Sequence, residues 1–302
     1  MTRVHDALTQ AQVAIKGDTA GTERAGEPSH LRSTLDQYAS EIPRRGEPDA
    51  DEGLSVRGVI APRTGGRHQL GPFSRAVAGK LAVGDGASPI CVEQYRRLAG
   101  ALHELQVERG LKSLLVTSAL PNDGKSLTVS NLALTLSESY ERRVLLIDAD
   151  LRRPSIHEIL SLPNASGLSD VLRSERGDIP ILQVSRFLSV LTAGRPDANP
   201  MARLTSERMR TLLDQAAADF DWVLLDAVPV GLMPDARLLA GLTRAVLFVI
   251  GAGSTPYQFV TRAIAEIGPE CVVGTVLNRV HPDNIPATSY YRHYYANPAT
   301  SR

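Results

Sequence analysis

The sequence is poor in cysteine, in aromatic residues and in long apolar runs. Only two of its 302 residues are cysteines, Cys91 and Cys271, and they form no CxxC pair and no cluster typical of a metal site. We therefore expect reduced, buried thiols, as in a cytoplasmic protein. The longest apolar runs, such as AVLFVI at 245–250, fall short of the roughly 20 residues of a membrane helix. Since the opening residues also lack the apolar core of a signal peptide, we expect a cytoplasmic chain that does not itself span a bilayer.

An excess of one charge is lacking as well, because 33 basic and 33 acidic residues give a formal net charge of zero. Such a chain has no global electrostatic attraction to nucleic acid or to anionic lipid, and we expect no nucleic-acid partner. Hydrophobic residues make up 43% of the sequence, which is ample for a core. The composition therefore favours a globular domain, with or without long appendages.

Local patterns divide the chain into three segments. Residues 1–84 are rich in Gly, Pro and charge without sustained periodicity, and we predict that they are mostly disordered. Residues 85–282 alternate short apolar runs with helical patterns, which predicts the folded domain, and we predict that residues 283–302 are a flexible, tyrosine-rich tail. Strands that are nearly all apolar are typical of a parallel sheet covered on both faces. The alternation thus predicts an α/β domain with a doubly wound, mostly parallel sheet and helices on both faces.

The stretch SALPNDGKSLT at 118–128 has the end of a phosphate-binding loop, placed between a predicted strand and a predicted helix. Backbone N–H groups and the helix N-terminus would hold phosphate oxygens, with Lys125 reaching the β- and γ-phosphates of ATP and Ser126 binding Mg²⁺. Ala119 replaces the motif's first glycine, which costs little if that position needs no positive φ. The alternative is an ordinary βα turn. The predicted nucleotide-binding residues are Leu120, Pro121, Asn122, Asp123, Gly124, Lys125, Ser126 and Leu127.

Acidic residues end two further predicted strands. LLIDADLRRP places Asp148 and Asp150 two residues apart, and DWVLLDAVP ends its strand at Asp226. The carboxyl ends of parallel strands face the crevice in which α/β proteins bind ligands. Carboxylates there suit Mg²⁺ or general-base chemistry, although a single aspartate at a strand end is often a helix cap. The order of the three motifs along the chain favours a metal–nucleotide site.

The tail contains half of the eight tyrosines of the chain. A segment rich in Ser, Thr, Pro and Asn cannot bury four phenol rings, so hydrophobic burial does not explain them. They are either an aromatic contact patch for a partner or a cluster of phosphate acceptors. A phosphate-binding loop and these tyrosines in one chain favour donor site and acceptor together. The predicted acceptors are Tyr290, Tyr291, Tyr294 and Tyr295.

Taken together, these motifs resemble the bacterial tyrosine autokinases of capsule and exopolysaccharide synthesis, over about 88–295. The matching stretches are SPICVEQYRRL, SALPNDGKS, LLIDADLRRP, LLDAVPVGLMPDARLLA, GTVLNRV and the tyrosine cluster. The resemblance implies a P-loop NTPase-type domain that binds Mg-ATP and phosphorylates tail tyrosines of a neighbouring subunit in a ring. It also implies the separate, stand-alone type, which is switched on by a membrane chain-length regulator of polysaccharide export and lies at the inner face of the plasma membrane through that partner.

Carried over by position, the resemblance assigns roles to individual residues. Lys125 and Ser126 bind phosphate and Mg²⁺, and Ser126, Asp148 and Asp226 surround the metal. Asp148, Asp150 and Asp226 form an acidic triad, in which either Asp148 or Asp150 accepts the tyrosine proton.

The sequence departs from the family pattern at three places. Ala227-Val228 stands where the family usually has Thr-Pro, and GAGSTP lacks an arginine that the family often places there. In the ring-forming motif Glu93 and Arg96 are present, but Ala99 replaces the second arginine. Two alternatives to the autokinase therefore stay open, an ATPase switch and a non-catalytic ATP-binding scaffold of the polysaccharide machinery.

Overall fold

The computed structural model describes residues 79–84, 86–174, 178–197 and 199–281. Within these ranges strands and helices alternate as the sequence patterns predict. The helices are α1 Pro89–Arg109, α2 Lys125–Glu138, α3 Ile156–Ile159, α4 Leu168–Arg173, α5 Pro200–Leu204, α6 Glu207–Asp219, α7 Asp235–Thr243 and α8 Tyr257–Ile267. The strands are β1 Ser113–Ser118, β2 Val144–Asp148, β3 Leu182–Gln183, β4 Leu188–Leu191, β5 Trp222–Asp226, β6 Val246–Gly251 and β7 Val272–Asn278.

The seven strands form one sheet in the order β3-β4-β2-β5-β1-β6-β7. Every pairing is parallel except that of β3 with β4. Consecutive residues of β2, β4 and β5 are all buried, so both faces of the sheet are covered. This architecture confirms the predicted α/β class. The two-residue strand β3 is too short to show an apolar periodicity in the sequence.

Local sequence signals account for several helix boundaries. The hydroxyl of Ser206 accepts a hydrogen bond from the Met209 N–H at 3.3 Å and caps α6, as its position before Glu207 predicts. Helix α1 carries Pro at its first position and is followed by Gly110 in the left-handed region, with φ 66°. Such signals set where a helix starts and stops, and tertiary packing sets what it contacts.

The packed part of the chain begins before α1. The side chain of Leu81 is fully buried in the main apolar cluster. Asn131, a buried residue of α2, holds the same segment, because its Nδ2 donates to the Lys80 carbonyl at 3.0 Å and its Oδ1 accepts from the Ala82 N–H at 2.8 Å. Leu81 therefore lies before residue 85, the predicted start of the folded domain, and yet belongs to its core.

Both cysteines are free thiols, but neither is fully buried as the sequence analysis expected. Cys91 and Cys271 are half-buried, the first on α1 and the second just before β7. Burial nevertheless raises the pKa of the Cys91 thiol. None of the helices within the described ranges is both long enough and apolar enough to cross a lipid bilayer.

Candidate nucleotide-binding and catalytic site

The sheet order brings the three predicted motifs to one edge. Strand β5 lies between β1 and β2, so the carboxyl ends of all three strands are adjacent. Asp148 and Asp226 are direct partners in the β2–β5 register, and Val116 of β1 is paired with Asp226 on the other side. Since α2 begins immediately after the loop that follows β1, Lys125 and Ser126 start a helix at the same edge.

The phosphate-binding loop, residues 119–124, has two residues in the left-handed region, Asn122 with φ 66° and Gly124 with φ 95°. Ala119 is not one of them, which explains why this chain needs no glycine there. At Gly124 a Cβ atom would overlap with Nδ2 of Asn278, the last residue of β7. That same Nδ2 donates to the Asp123 carbonyl at 2.9 Å. Glycine is therefore required at position 124 both by φ and by the close approach of β7.

The ammonium group of Lys125 is the centre of a charged cluster. Its Nζ lies 3.0 Å from Asp150 Oδ2, 3.4 Å from Asp226 Oδ2 and 3.0 Å from Ser126 Oγ. Burial disfavours the charge on Lys125, but the carboxylates of Asp226 and Asp150 have the larger combined effect. They raise the pKa of the ammonium above its ordinary value. Lys125 is therefore a permanent cation in a site that concentrates negative charge.

Asp226 pairs with the first turn of α2. Its Oδ2 accepts a hydrogen bond from the Ser126 hydroxyl at 2.5 Å, and its side chain has no exposure to solvent. Burial raises the pKa of this carboxyl to about 6, while Lys125 opposes the rise and Asp150 adds to it. The serine hydroxyl and the aspartate carboxylate are thus held together as a pair of oxygen donors.

The two aspartates after β2 differ in what they contact. The carboxylate of Asp148 accepts from three backbone N–H groups, those of Asp150 at 3.3 Å and of Ser155 and Ile156 at 3.0 Å each. Burial, with the nearby carboxylates of Asp226 and Asp150, raises the pKa of Asp148 well above its ordinary value. Asp150 instead reaches Lys125 with one oxygen, and the other accepts from the Arg153 N–H at 2.9 Å. Asp148 organises the turn and Asp150 faces the charged cluster.

Two contacts of the site have no counterpart in the sequence prediction. Arg152 forms an ion pair with Asp235 at 2.8 Å, and both side chains are largely buried, so the turn after β2 is fixed to the start of α7. Asp123, in the phosphate-binding loop, accepts a hydrogen bond from the Thr255 hydroxyl at 2.5 Å. Burial raises the pKa of the Asp123 carboxyl, although the Thr255 hydroxyl opposes the rise. Asp235 and Thr255 lie in stretches quoted in the sequence analysis, but neither was predicted as a site residue, and only the fold brings them to the site.

Comparison with known proteins identifies the family. No family model matches the chain. Over 173 residues it is 36% identical to the tyrosine-protein kinase YwqD of Bacillus subtilis (strain 168), covering 57% of this chain and 73% of that protein. Over 219 residues it is 30% identical to the putative tyrosine-protein kinase CapB of Staphylococcus aureus, covering 71% of this chain and 94% of that protein. The chain belongs to the bacterial tyrosine-protein kinase family.

The structural comparison agrees with this assignment. The kinase superimposes on the crystal structure of the chimerical protein CapA2B2 with a TM-score of 0.60 and 27% identity, over 71% of this chain and 93% of that one. The predicted family, fold class and enzyme class, a protein-tyrosine kinase, are thus confirmed. The loop and the three aspartates lie together, as expected of a site that binds a nucleotide and a metal. The predicted acceptors at 290–295 lie outside the described residues.

The departure in the ring motif has a structural context in the kinase. Ala99, which stands where the family usually has an arginine, faces the core and is fully buried in the main apolar cluster. On the outer side of α1, Glu93 forms an ion pair with Arg97 at 3.2 Å. Arg96 is exposed one position before it. Helix α1 thus has charged side chains on its outer side, at Glu93, Arg96 and Arg97, while position 99 faces the core.

Proposed function

We propose that this kinase transfers the γ-phosphoryl group of ATP to the tyrosine cluster of its own C-terminal tail. The observation that carries the proposal is the convergence of Lys125, Ser126, Asp150 and Asp226 beside a phosphate-binding loop. This convergence joins a permanent cation, a hydroxyl and carboxylates at a helix N-terminus, which are the groups that phosphoryl transfer from a nucleotide requires.

The position of the acceptors along the chain supports the same reaction. Asn278 binds the phosphate-binding loop through its side chain, and Tyr290 follows it by twelve residues. Twelve residues span at most about 40 Å when extended. This stretch of chain is therefore long enough for the tail tyrosines to reach a nucleotide site, in the same or in a neighbouring subunit. We propose a homo-oligomer in which such an exchange takes place.

Each protein group has a role in the proposed transfer. The loop N–H groups and Lys125 bind and neutralise the phosphates. The phenol oxygen of a tail tyrosine forms a bond to the γ-phosphorus as the bond from that phosphorus to the β-phosphate oxygen breaks, and ADP leaves. The phenol proton passes to Asp150, because its carboxylate faces the Lys125 ammonium in the charged cluster, whereas Asp148 holds the turn after β2 through three backbone N–H groups. A phenol with a pKa near 10 benefits from a nearby base.

The donor set fits Mg²⁺. Ser126 and Asp226 offer a hydroxyl and a carboxylate oxygen in contact with each other, with Asp148 next to Asp226 in the sheet register. In the part of the chain that the structure describes, no group of three or more His, Cys, Asp or Glu side chains forms a ready-made metal cage. This agrees with an ion that is bound by one or two carboxylates together with substrate phosphates and water. When bound, Mg²⁺ would neutralise charge on the phosphates.

We further propose that the kinase regulates the synthesis and export of capsule or exopolysaccharide, through a membrane chain-length regulator that activates it. The supports are the resemblance to the autokinases of that machinery and the similarity to CapB and to the chimerical protein CapA2B2. In this arrangement the kinase is cytoplasmic and lies peripherally at the inner face of the plasma membrane, held there by its partner.

Mass spectrometry of the tail peptide, after incubation of the full chain with Mg-ATP, tests the autokinase. We expect phosphate on residues 290–295 in the unaltered chain and none in the Lys125→Met variant. Changing all four tail tyrosines to Phe should remove most incorporated phosphate and leave ATP binding unchanged. Equal labelling of the Lys125→Met variant would contradict the assignment of Lys125 to the phosphoryl-transfer site. If the tail stays unmodified even when the cytoplasmic segment of a membrane regulator is present, an ATPase switch or a scaffold is favoured instead.

A further inference from the structure

The carboxylate of Asp123 belongs to the phosphate-binding loop, but the protein itself uses both of its oxygens. Asp123 is only 3% exposed. Its Oδ2 accepts from the Leu120 N–H at 3.1 Å, which joins the end of the loop to its beginning. Its Oδ1 accepts from the Thr255 hydroxyl at 2.5 Å. Thr255 Oγ1 in turn accepts from the Gly251 N–H at 3.2 Å, so the chain of hydrogen bonds ends on the last residue of β6.

The neighbouring strand ends are shaped to allow this contact. A Cβ at Gly251 would lie 2.9 Å from Asp123 Oδ1, so only glycine lets the carboxylate approach the end of β6. On the other side, Asn278 at the end of β7 binds the Asp123 carbonyl. The loop that follows β1 is therefore fixed at one residue to the ends of the next two strands of the sheet, β6 and β7.

A carboxylate in a loop that binds triphosphate needs an explanation, because like charges repel. Burying a charged group is also costly unless it is hydrogen-bonded. Here the hydrogen bonds from Leu120 and Thr255 close the loop upon itself and hold it against β6. We propose that Asp123 and Thr255 are positioning residues, which hold the phosphate-binding loop in its ATP-binding conformation before the nucleotide arrives.

This inference rests on the proposed ATP-dependent activity and adds a determinant of its affinity. If only a fraction of the molecules has the competent loop, the apparent affinity for ATP falls by that fraction, whereas the bound complex is unaltered. Loss of the Asp123–Thr255 hydrogen bond should thus raise KM for ATP and leave kcat nearly unchanged. Loss of Lys125, which contacts the transferred group in the proposed mechanism, should lower kcat instead.

For Asp123→Asn, an electrostatic role and a positioning role predict opposite changes in ATP affinity. Removing a negative charge from the loop would, by Coulomb attraction alone, tighten the binding of anionic ATP. Weakening the hydrogen bonds that close the loop would weaken ATP binding instead. Thr255→Val removes the same contact without any change of charge, and Thr255→Ser restores the hydroxyl. Agreement between Asp123→Asn and Thr255→Val therefore isolates positioning from electrostatics.

The test measures ATP affinity calorimetrically and tail phosphorylation kinetics in the full chain with Mg²⁺. Thr255→Val and Asp123→Asn should each weaken ATP binding roughly tenfold to a hundredfold, as expected for one hydrogen bond to a charged group. Their kcat should stay within about twofold of the unaltered chain, and Thr255→Ser should bind ATP as the unaltered chain does. Thr261→Val, which removes a hydroxyl that bonds only carbonyls of α8, is the matched control and should change nothing.

The outcomes separate this inference from the proposed function. Unchanged or tighter ATP binding in both Thr255→Val and Asp123→Asn would overturn it, as would a fall in kcat at constant KM. If the unaltered chain binds ATP but phosphorylates nothing, the proposed function fails. The ATP affinities of the variants still test whether Asp123 and Thr255 position the loop. If Thr255→Val melts below the assay temperature, the comparison of Thr255→Ser with Asp123→Asn decides. Positioning then requires weaker binding in Asp123→Asn and normal binding in Thr255→Ser.

Discussion

Asp226 accepts a hydrogen bond from the Ser126 hydroxyl at 2.5 Å, although the two residues are 100 positions apart in the sequence. The contact exists because β5 and β1 are neighbours in the sheet, so that the end of one strand meets the helix that follows the other. Phosphate-binding loop and acidic residues thus form a single site, and the roles of the individual aspartates can be separated by substitution.

Asp150→Asn should abolish most tail phosphorylation while the domain stays folded. Loss of a general base lowers the rate about a hundredfold or more, and the amide keeps the shape of the side chain. Asp214→Asn, an exposed change of the same type on α6, is the control and should leave the initial rate unaltered. The measurement is the initial rate of phosphate incorporation at saturating ATP. A wild-type rate in Asp150→Asn would take the proton-acceptor role away from this residue.

Asp148→Ala should instead destabilise the domain. The substitution leaves the buried N–H group of Ile156 and the partly buried one of Ser155 without their acceptor. Unsatisfied buried donors cost about 1–3 kcal/mol. Denaturant unfolding of the unaltered and substituted chains measures this difference. An unchanged midpoint would mean that the turn after β2 does not depend on the Asp148 carboxylate.

Gly124→Ala should eliminate nucleotide binding. An alanine there is strained at φ 95°, and its Cβ would overlap with Asn278, so the phosphate-binding loop or β7 must move. Gly241→Ala in α7 is the matched control, because a Cβ at that position meets nothing within 4 Å. We expect the control to keep ATP binding and to gain up to about 1 kcal/mol of stability from its helical position. Calorimetric ATP titration of both variants checks this, and binding by Gly124→Ala would contradict it.

Leu81→Ala should lower the free energy of unfolding by about 2–5 kcal/mol, the range for emptying a buried leucine site. Leu81 is fully buried, and the same segment is held by the Asn131 amide. Val107→Ala, at a side chain that is 73% exposed on α1, provides the comparison and should change stability little. Chemical denaturation of both variants gives the two differences. Equal, small effects would show that residues before α1 contribute nothing to the core.

Asp221→Asn should destabilise the fold at neutral pH and lose that effect in acid. Burial opposes the charge on Asp221, but the Arg143 backbone N–H, at 2.8 Å, and the Arg143 guanidinium outweigh it and lower the pKa of the carboxyl. A lowered folded pKa gives stability that is present above the unfolded value of about 3.9 and is lost as the pH falls through the folded one. We expect a difference of about 1 kcal/mol at pH 7. Unfolding curves between pH 7 and about pH 2 measure this difference, and a difference in stability that grows in acid would contradict the prediction.

Much of the site was predictable because its signals are local. The residues Gly124, Lys125 and Ser126 stand between an apolar strand and a helix, and Asp148 and Asp226 each end an apolar strand. In a parallel sheet these positions have to face the ligand edge. The strand–helix alternation likewise predicted the α/β class, since continuous apolar runs and helical spacing depend only on the neighbouring sequence.

Only the tertiary structure decided which distant groups complete the site. The pairings of Asp123 with Thr255 and of Arg152 with Asp235 each join residues from different strand–helix units. No periodicity or motif encodes such pairs, because they depend on the order of strands across the sheet. The sequence by itself identified the loop residues and the strand-end aspartates that the structure brings together. The sheet order determined what holds them in place, because a contact between distant residues is fixed by packing and not by spacing along the chain.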